Sequence, residues 1–336
     1  MYIYCDKSIS NPLYIHFLCG NQYNSKNTKD KRNILKEYID AQNNNYALIL
    51  EKLFDPTEYT DMGFKDLEEV EIMASYYAKS IIILHETVST AAEIALFGSK
   101  EELREKVLVI YAPKEKIETD SVGAFIRLAY FKNNKVTESS FNFSTRLYQE
   151  KGKKIAYYNT FFPDDTITDE FEKTLTKFWN KTPNVLKINL TKESQLYYKD
   201  NTYLIDENTK AINVKINYEL ILSIVICILL NNKLIKDKRN KDLVVKKVCA
   251  FFKDLMKDTI SNNEVKNLDN YSIKITTINN QEINLPIKFC IYVLEKSGLI
   301  KIHNDEISIT NNFKEKCKEY KDLIIYKEES NFFEGE

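Results

Sequence analysis

The chain is poor in the residues that punctuate or cross-link a fold. Only 7 glycines and 6 prolines serve 336 residues, which argues against collagen-like, linker-like or low-complexity sequence. The 6 cysteines, Cys5, Cys19, Cys227, Cys249, Cys290 and Cys317, lie far apart with no C-x-x-C pair. Neither a zinc ribbon nor a disulfide framework is supported, and a reduced compartment is expected. The 3 histidines, His16, His85 and His303, are equally scattered, and no metal site is expected. Long apolar runs are missing too. The most apolar stretch, Leu220 to Leu230, falls short of the roughly 20 residues that a bilayer crossing needs, and reads as a buried helix. Neither sign of charge dominates: a net charge of −1 gives no global argument for nucleic acid or membrane. No secretory signal is read at the first residues, and a cytoplasmic location is the expectation.

What is present is an ordinary apolar fraction of 43%, enough for a packed core, in a chain long enough for two or three domains. The first third alternates strand and helix patterns. Leu13 to Cys19 reads as a strand ending in Gly20-Asn21-Gln22. Lys29 to Gln42 carries Ile34, Leu35, Tyr38 and Ile39 at helical spacing, and Tyr46 to Leu50 is the next strand. Leu67 to Tyr77 reads as an amphipathic helix feeding the strand Ile81-Ile82-Ile83-Leu84, and Val107 to Tyr111 is a further strand. Such alternation predicts an α/β domain with a parallel, Rossmann-like sheet and right-handed crossovers. Val122 to Tyr130 reads as a short helix or strand, Ile155 to Asn159 as a strand, and Asp169 to Lys181 as a helix containing Trp179.

The first domain is expected to span residues 1–190. Residues 191–216 show little periodicity and read as a connector. A second domain, 217–330, opens with helices over Tyr218 to Leu230, Leu243 to Met256 and Leu285 to Lys296, followed by two short strands around Asn304-Asp305. Helix followed by a β-hairpin is a winged-helix pattern. Between Lys233 and Lys257 basic residues outnumber acidic ones, with Phe251 and Phe252 nearby. Lys236, Lys238, Arg239, Lys241 and Lys301, with His303, are candidate phosphate contacts, the bland alternative being a solvated helix face.

One carboxylate has a favoured place. Four apolar residues, Ile81 to Leu84, read as a strand buried on both faces, and Ser89-Thr90-Ala91-Ala92-Glu93 as a cap and first helical turn, which puts Glu93 at the carboxyl edge of the sheet. Open α/β sheets bind ligands there, and a helix amino terminus favours an ionised carboxylate. Around it stand candidate substrate-binding residues, each with an ordinary structural alternative. Gly20 and Asn21 offer backbone amides or a plain turn. Ser89 and Thr90 offer hydroxyls or a cap. His85 is a substrate contact or a satisfied histidine, and Asp55 and Glu71 orient ribose or base or lie on the surface.

Phe17-Leu18-Cys19-Gly20, Leu50-Glu51-Lys52-Leu53-Phe54-Asp55, Glu71, Ile81 to Leu84, Thr90-Ala91-Ala92-Glu93-Ile94-Ala95-Leu96-Phe97 and Gly123-Ala124-Phe125-Ile126-Arg127 occur in an order that resembles a known family. It is that of the nucleoside 2-deoxyribosyltransferase-like effectors of bacterial retron antiphage systems. The resemblance covers roughly the first 130 residues and is architectural for the winged helix. It implies that Glu93 is the catalytic residue of an N-glycosidase, with NAD as substrate, not cofactor, for at least some members. It also implies partners: the retron reverse transcriptase and its branched DNA–RNA product, in an oligomer or higher assembly. Two departures bear on base specificity, Ala95 where the family usually has glycine and Lys79 where an acidic residue commonly precedes the strand. The rival readings are a non-catalytic nucleotide sensor or DNA-binding regulator, and a nucleotide-salvage deoxyribosyltransferase.

Overall fold

The computed structural model describes residues 2–4, 8–20, 30–85, 87–111, 140–142, 146–150, 153–158, 166–180, 186–193, 201–231, 240–261, 268–321 and 325–327. The chain divides into two compact units, Tyr14–Pro183 and Met1–Leu13 with Asn184–Glu336. The first strand, β1 (Tyr2–Tyr4), pairs antiparallel with Ile325–Lys327 and so goes with the second unit.

The first unit alternates as its pattern predicts. In chain order come β2 (Tyr14–Cys19), α1 (Lys31–Ala41), β3 (Asn45–Ile49), α2 (Pro56–Asp61), α3 (Leu67–Tyr77), β4 (Ala78–Leu84), α4 (Val88–Gly98), α5 (Glu101–Arg104) and β5 (Val107–Tyr111). Then follow β6 (Ser140–Asn142), an antiparallel pair β7 (Arg146–Glu150) and β8 (Lys153–Tyr158), and α6 (Asp169–Trp179). The expected element over Val122 to Tyr130 lies outside the described residues. Strands β2 to β6 form one parallel sheet in the order β3-β2-β4-β5-β6.

Leu18, Ile82, Leu84, Leu108 and Ile110 meet Ile34, Leu35 and Ile39 of α1 and Phe171, Leu175 and Phe178 of α6 in one apolar cluster. By strand alternation Ile81, Ile83, Val107 and Val109 point to the other face and are also buried, with α3 and α4 packed against β4. Burial on both faces is why these strands read as unbroken apolar runs. Each such side chain contributes about 1.5–3 kcal/mol relative to exposure. The strand order reverses between β2 and β4, so the crevice outside their carboxyl ends, at Gly20 and His85, is the topological position where doubly wound sheets take ligands.

At the opposite end of these strands His16 is fully buried. Its Nε2 lies 2.8 Å from Asn45 Oδ1 and its Nδ1 2.7 Å from Ser80 Oγ. Asn45 Oδ1 only accepts, so Nε2 carries the proton and Nδ1 accepts from the Ser80 hydroxyl, which accepts from Trp179 Nε1 at 3.2 Å. Burial, with the Lys79 charge adding to it, lowers the His16 pKa from 6.5 to about 4 against the opposing Asn45 hydrogen bond. The unfolded histidine takes up its proton below about 6.5 and the folded one only near 4, so this group's contribution to stability is lost as pH falls through that window. Thermal melts should therefore show wild type losing on the order of 1–2 kcal/mol relative to His16→Gln between pH 6.5 and 4. Parallel pH dependence of the two chains would contradict this.

The second unit holds a four-stranded sheet in the order β12-β11-β10-β9, built from β9 (Thr191–Lys192), β10 (Thr202–Asp206), β11 (Ala211–Ile216) and β12 (Ser272–Thr277). Its helices α7 (Tyr218–Leu230), α8 (Lys241–Ser261) and α9 (Asn284–Lys296) pack on one another, and a hairpin of β13 (Ile300–His303) and β14 (Glu306–Ile309) precedes α10 (Asn311–Lys316). Asn304 and Asp305 have φ of 48° and 62°, the two left-handed residues of a tight hairpin turn. α7 is the buried helix expected, capped by Asn217, whose side chain accepts from Leu220 N. Phe251 and Phe252 are core residues and do not flank the basic stripe.

The stretch read as a connector differs from expectation. It carries β9, β10 and β11, and Ile212, Val214 and Ile216 alternate inward at strand spacing. The first thirteen residues also depart from a continuous 1–190 domain. Ile9 pairs with Leu186, and Leu13 N donates to Tyr320 Oη at 2.7 Å. Among the described residues no helix is long and apolar enough to cross a membrane.

Candidate active site

The site assembles at the carboxyl ends of β2 and β4. A Cβ on Gly20 would come within 3.1 Å of Leu84 Cβ and 3.3 Å of Arg32 Cδ, so glycine is what lets the two strand ends and the Arg32 stem approach this closely. The Gly20 carbonyl accepts from Arg32 Nη1 at 3.1 Å. Arg32 Nε and Nη2 reach the two Asp30 oxygens at 3.2 and 2.9 Å, and Nη1 also pairs with Glu51, in the turn after β3. Asp30 in turn caps α1 by accepting from Arg32 N at 2.9 Å.

α4 begins earlier than the sequence suggests. Its cap is Thr87, paired reciprocally with Thr90 three residues on. Glu93 therefore lies in the second turn, beyond the reach of the helix amino terminus. Thr90 is buried and its hydroxyl donates to the Thr87 carbonyl at 2.7 Å and accepts from Thr87 N at 3.0 Å. Since that hydroxyl proton is already used, the 3.2 Å contact with His85 has Nδ1–H donating, which makes Nε2 the acceptor nitrogen. Burial lowers the His85 pKa, favouring the neutral ring. Ser89 is exposed, 2.8 Å from Thr87 Oγ1. Asp55, also exposed, caps α2 by accepting from Thr57 N and Glu58 N at 3.1 and 3.3 Å. Apart from the contact of Thr90 with His85, the described contacts of Ser89, Thr90 and Asp55 are thus those of helix caps.

The expectation of an ionised Glu93 is corrected. Its Oε2 is buried with no hydrogen-bond partner among the described residues, and its pKa is pushed up to about 8 by burial and then by Glu71 and Glu51, with Arg32 partly opposing. Glu71, on α3 and 8% exposed, is pushed up to about 7 by burial, then Glu51 and Glu68. Burial also raises Glu51, although its own backbone hydrogen bond and Arg32 pull the other way. The Cys19 thiol at the end of β2 is held well above its ordinary range by burial, then by Glu93, Glu51 and Glu71. Glu71 and Glu93 therefore share one poorly solvated neighbourhood with the partly exposed Glu51 acting on both, and these two hold protons near neutrality.

Of the residues singled out in sequence, Gly20, Glu71 and Glu93 are tied into this neighbourhood, and His85 and Thr90 are joined to each other beside it. Asn21 lies outside the described residues. Asp30, Arg32 and Glu51 were not singled out as site residues. A signal existed for the first two: Lys31-Arg32 opens a helix, where the macrodipole disfavours cations, yet both side chains are buried. Among the described residues no group of three His, Cys, Asp or Glu is placed to hold a metal ion.

Of the candidate phosphate contacts, Lys236, Lys238 and Arg239 lie outside the described residues. Lys241 is half-buried at the start of α8, while Lys301 and His303 are exposed on β13. Along α8, Lys246, Lys253 and Lys257 are exposed at spacings of seven and four, one continuous face of the helix.

No curated protein matches the chain. A family model described as STM3845 retron effector protein matches residues 28–302, so the chain belongs to the STM3845 retron effector family and its role lies in retron antiphage defence.

Proposed function

We propose that this retron effector is a nucleoside 2-deoxyribosyltransferase-like N-glycosidase that cleaves NAD or a related nucleotide, with Glu93 as the catalytic carboxylate. The observation that carries the reading is the buried Glu93 Oε2, which has no hydrogen-bond partner among the described residues and feels the charges of Glu71 and Glu51. A buried polar atom without a partner needs a reason, and a perturbed carboxyl at the ligand-binding edge of a doubly wound sheet supplies one.

The charge arrangement favours a cationic substrate. At neutral pH Glu93 is mostly protonated, and a positively charged nicotinamide ring brought beside it lowers its pKa so that the proton passes to bulk water, because a nearby cation stabilises the carboxylate. The anion then attacks C1′ or stabilises the oxocarbenium-like state as the C–N bond breaks, and the bonding pair neutralises the ring nitrogen of departing nicotinamide. Water completes hydrolysis, returning the carboxylate and a proton. A neutral purine nucleoside offers no such charge and needs a proton on its leaving base.

The remaining roles follow the family. The reverse transcriptase and its branched DNA–RNA product hold the effector inactive in an oligomeric assembly in the cytoplasm, and infection releases it to deplete NAD. The three-helix and hairpin arrangement of the second unit supports a winged-helix module, with the Lys246, Lys253 and Lys257 face as its phosphate-contacting stripe.

The test is to incubate the purified chain, alone and with its retron partners, with NAD, nucleotides and nucleosides, identifying released bases by mass spectrometry. Release of nicotinamide or another base, absent in Glu93→Gln, is the expected result. Binding without any base released would favour the sensor reading.

A further inference from the structure

We infer that Arg32 is a positioning residue of the carboxylate site: its guanidinium gathers the Asp30 cap, the Gly20 carbonyl and Glu51, and so fixes Glu51 as a negative charge against Glu71 and Glu93. The catalytic consequence rests on the proposed glycosidase reading; the electrostatic one does not.

Arg32 is placed against two penalties, burial and the positive end of α1, with only 5% of its side chain exposed. Four hydrogen bonds offset them: Nε and Nη2 to Asp30, Nη1 to Gly20 and Nη1 to Glu51. A guanidinium so engaged is a clamp more than a free anion receptor. Its planar fork spans three partners in different directions, which a lysine ammonium on a flexible stem does not reproduce. Glu51 is 40% exposed and extends from this buried anchor.

Among the described residues, the groups acting on Glu93 come from three separate segments, Glu71 from α3, Glu51 after β3, and Arg32 at the start of α1, while Cys19 at the end of β2 feels all three carboxylates. Asp30 offsets the Arg32 charge, and Glu68 acts on Glu71. Glu51 and Arg32 push the Glu93 proton in opposite directions, which gives the inference a sign that a purely structural role lacks.

In pH–rate profiles for nicotinamide release from NAD, Glu51→Gln should move the limb governed by Glu93 toward lower pH by roughly one unit, because a like charge is removed. Arg32→Gln should move it the other way. Arg32→Lys keeps the charge, so the limb should stay close to its wild-type position while the maximal rate falls by roughly tenfold or more through lost geometry. Titration of ¹³C-labelled glutamate carboxyls by NMR reads the same displacement without turnover, and Glu51→Gln alters a partly exposed side chain should the Arg32 variants fail to fold. Acidward movement of Glu71 and Glu93 in Glu51→Gln supports the inference even if no base is ever released, in which case only the reaction falls. Unmoved titrations overturn it even in an active enzyme.

Discussion

Replacing Glu93 by Gln should abolish N-glycosidic cleavage, by at least about a thousandfold, and at pH 8 should make the protein more stable. Glutamine keeps the shape but neither attacks C1′ nor stabilises a developing cation. The stability gain follows from the raised pKa. Folded Glu93 keeps its proton up to about 8, whereas the unfolded carboxyl releases it near 4.5. Within that window the folded state binds more protons, so the stability associated with Glu93 is present below about 4.5 and falls as pH rises through 8. The amide has no charge to bury. Scanning calorimetry should show the variant gaining on the order of 2 kcal/mol at pH 8, several degrees in Tm, with the advantage disappearing near pH 4.5. Wild-type turnover in Glu93→Gln would remove it from the chemistry; loss of activity together with lower stability at pH 8 would mean that the variant had merely damaged the fold.

The elements legible in sequence are those whose burial leaves a local trace. Ile81 to Leu84 is covered on both faces and prints an unbroken apolar run. α7 is buried along nearly its whole length and prints another. Glu93 could be placed after β4 because strand, cap and helix follow one another within fifteen residues. Its charge state could not be read, since that depends on Glu71 and Glu51, which the chain brings near through separate crossovers. The assumed influence of the helix terminus failed for a local reason: Thr87, not Ser89 or Thr90, is the cap, so Glu93 sits one turn further in.

The Arg32 clamp joins residues 12 and 19 positions from the arginine. No periodicity encodes such a contact; only the buried cation at a helix start hints at it. The supposed connector was a missed alternation. Ile212, Val214 and Ile216 were readable at period two, but the polar turn around Asp206 to Lys210 obscured them. The allegiance of the first thirteen residues had no local signal at all, being fixed by pairings with Leu186, Glu319 and Tyr320.

Glu71→Gln should separate substrates by their leaving groups. Glu71 is pushed up to about 7, so at neutral pH it is about half protonated, the condition in which a carboxyl serves as general acid. Nicotinamide leaves NAD as a neutral molecule and needs no proton, whereas adenine departing from a neutral nucleoside does. The variant should therefore lose roughly a hundredfold in kcat on any purine nucleoside that wild type cleaves, the usual scale of general-acid help, while keeping NAD cleavage within a few-fold. Glu71 carries its charge above about pH 7, where it holds up the pKa of Glu93, so on NAD the variant should exceed wild type between about pH 7 and 8 and match it at lower pH. Rates measured on both substrates from pH 5.5 to 9 decide the matter. Equal losses on NAD and nucleoside, with an unmoved profile, would reduce Glu71 to a buried structural carboxyl and leave Glu93 without a partner acid.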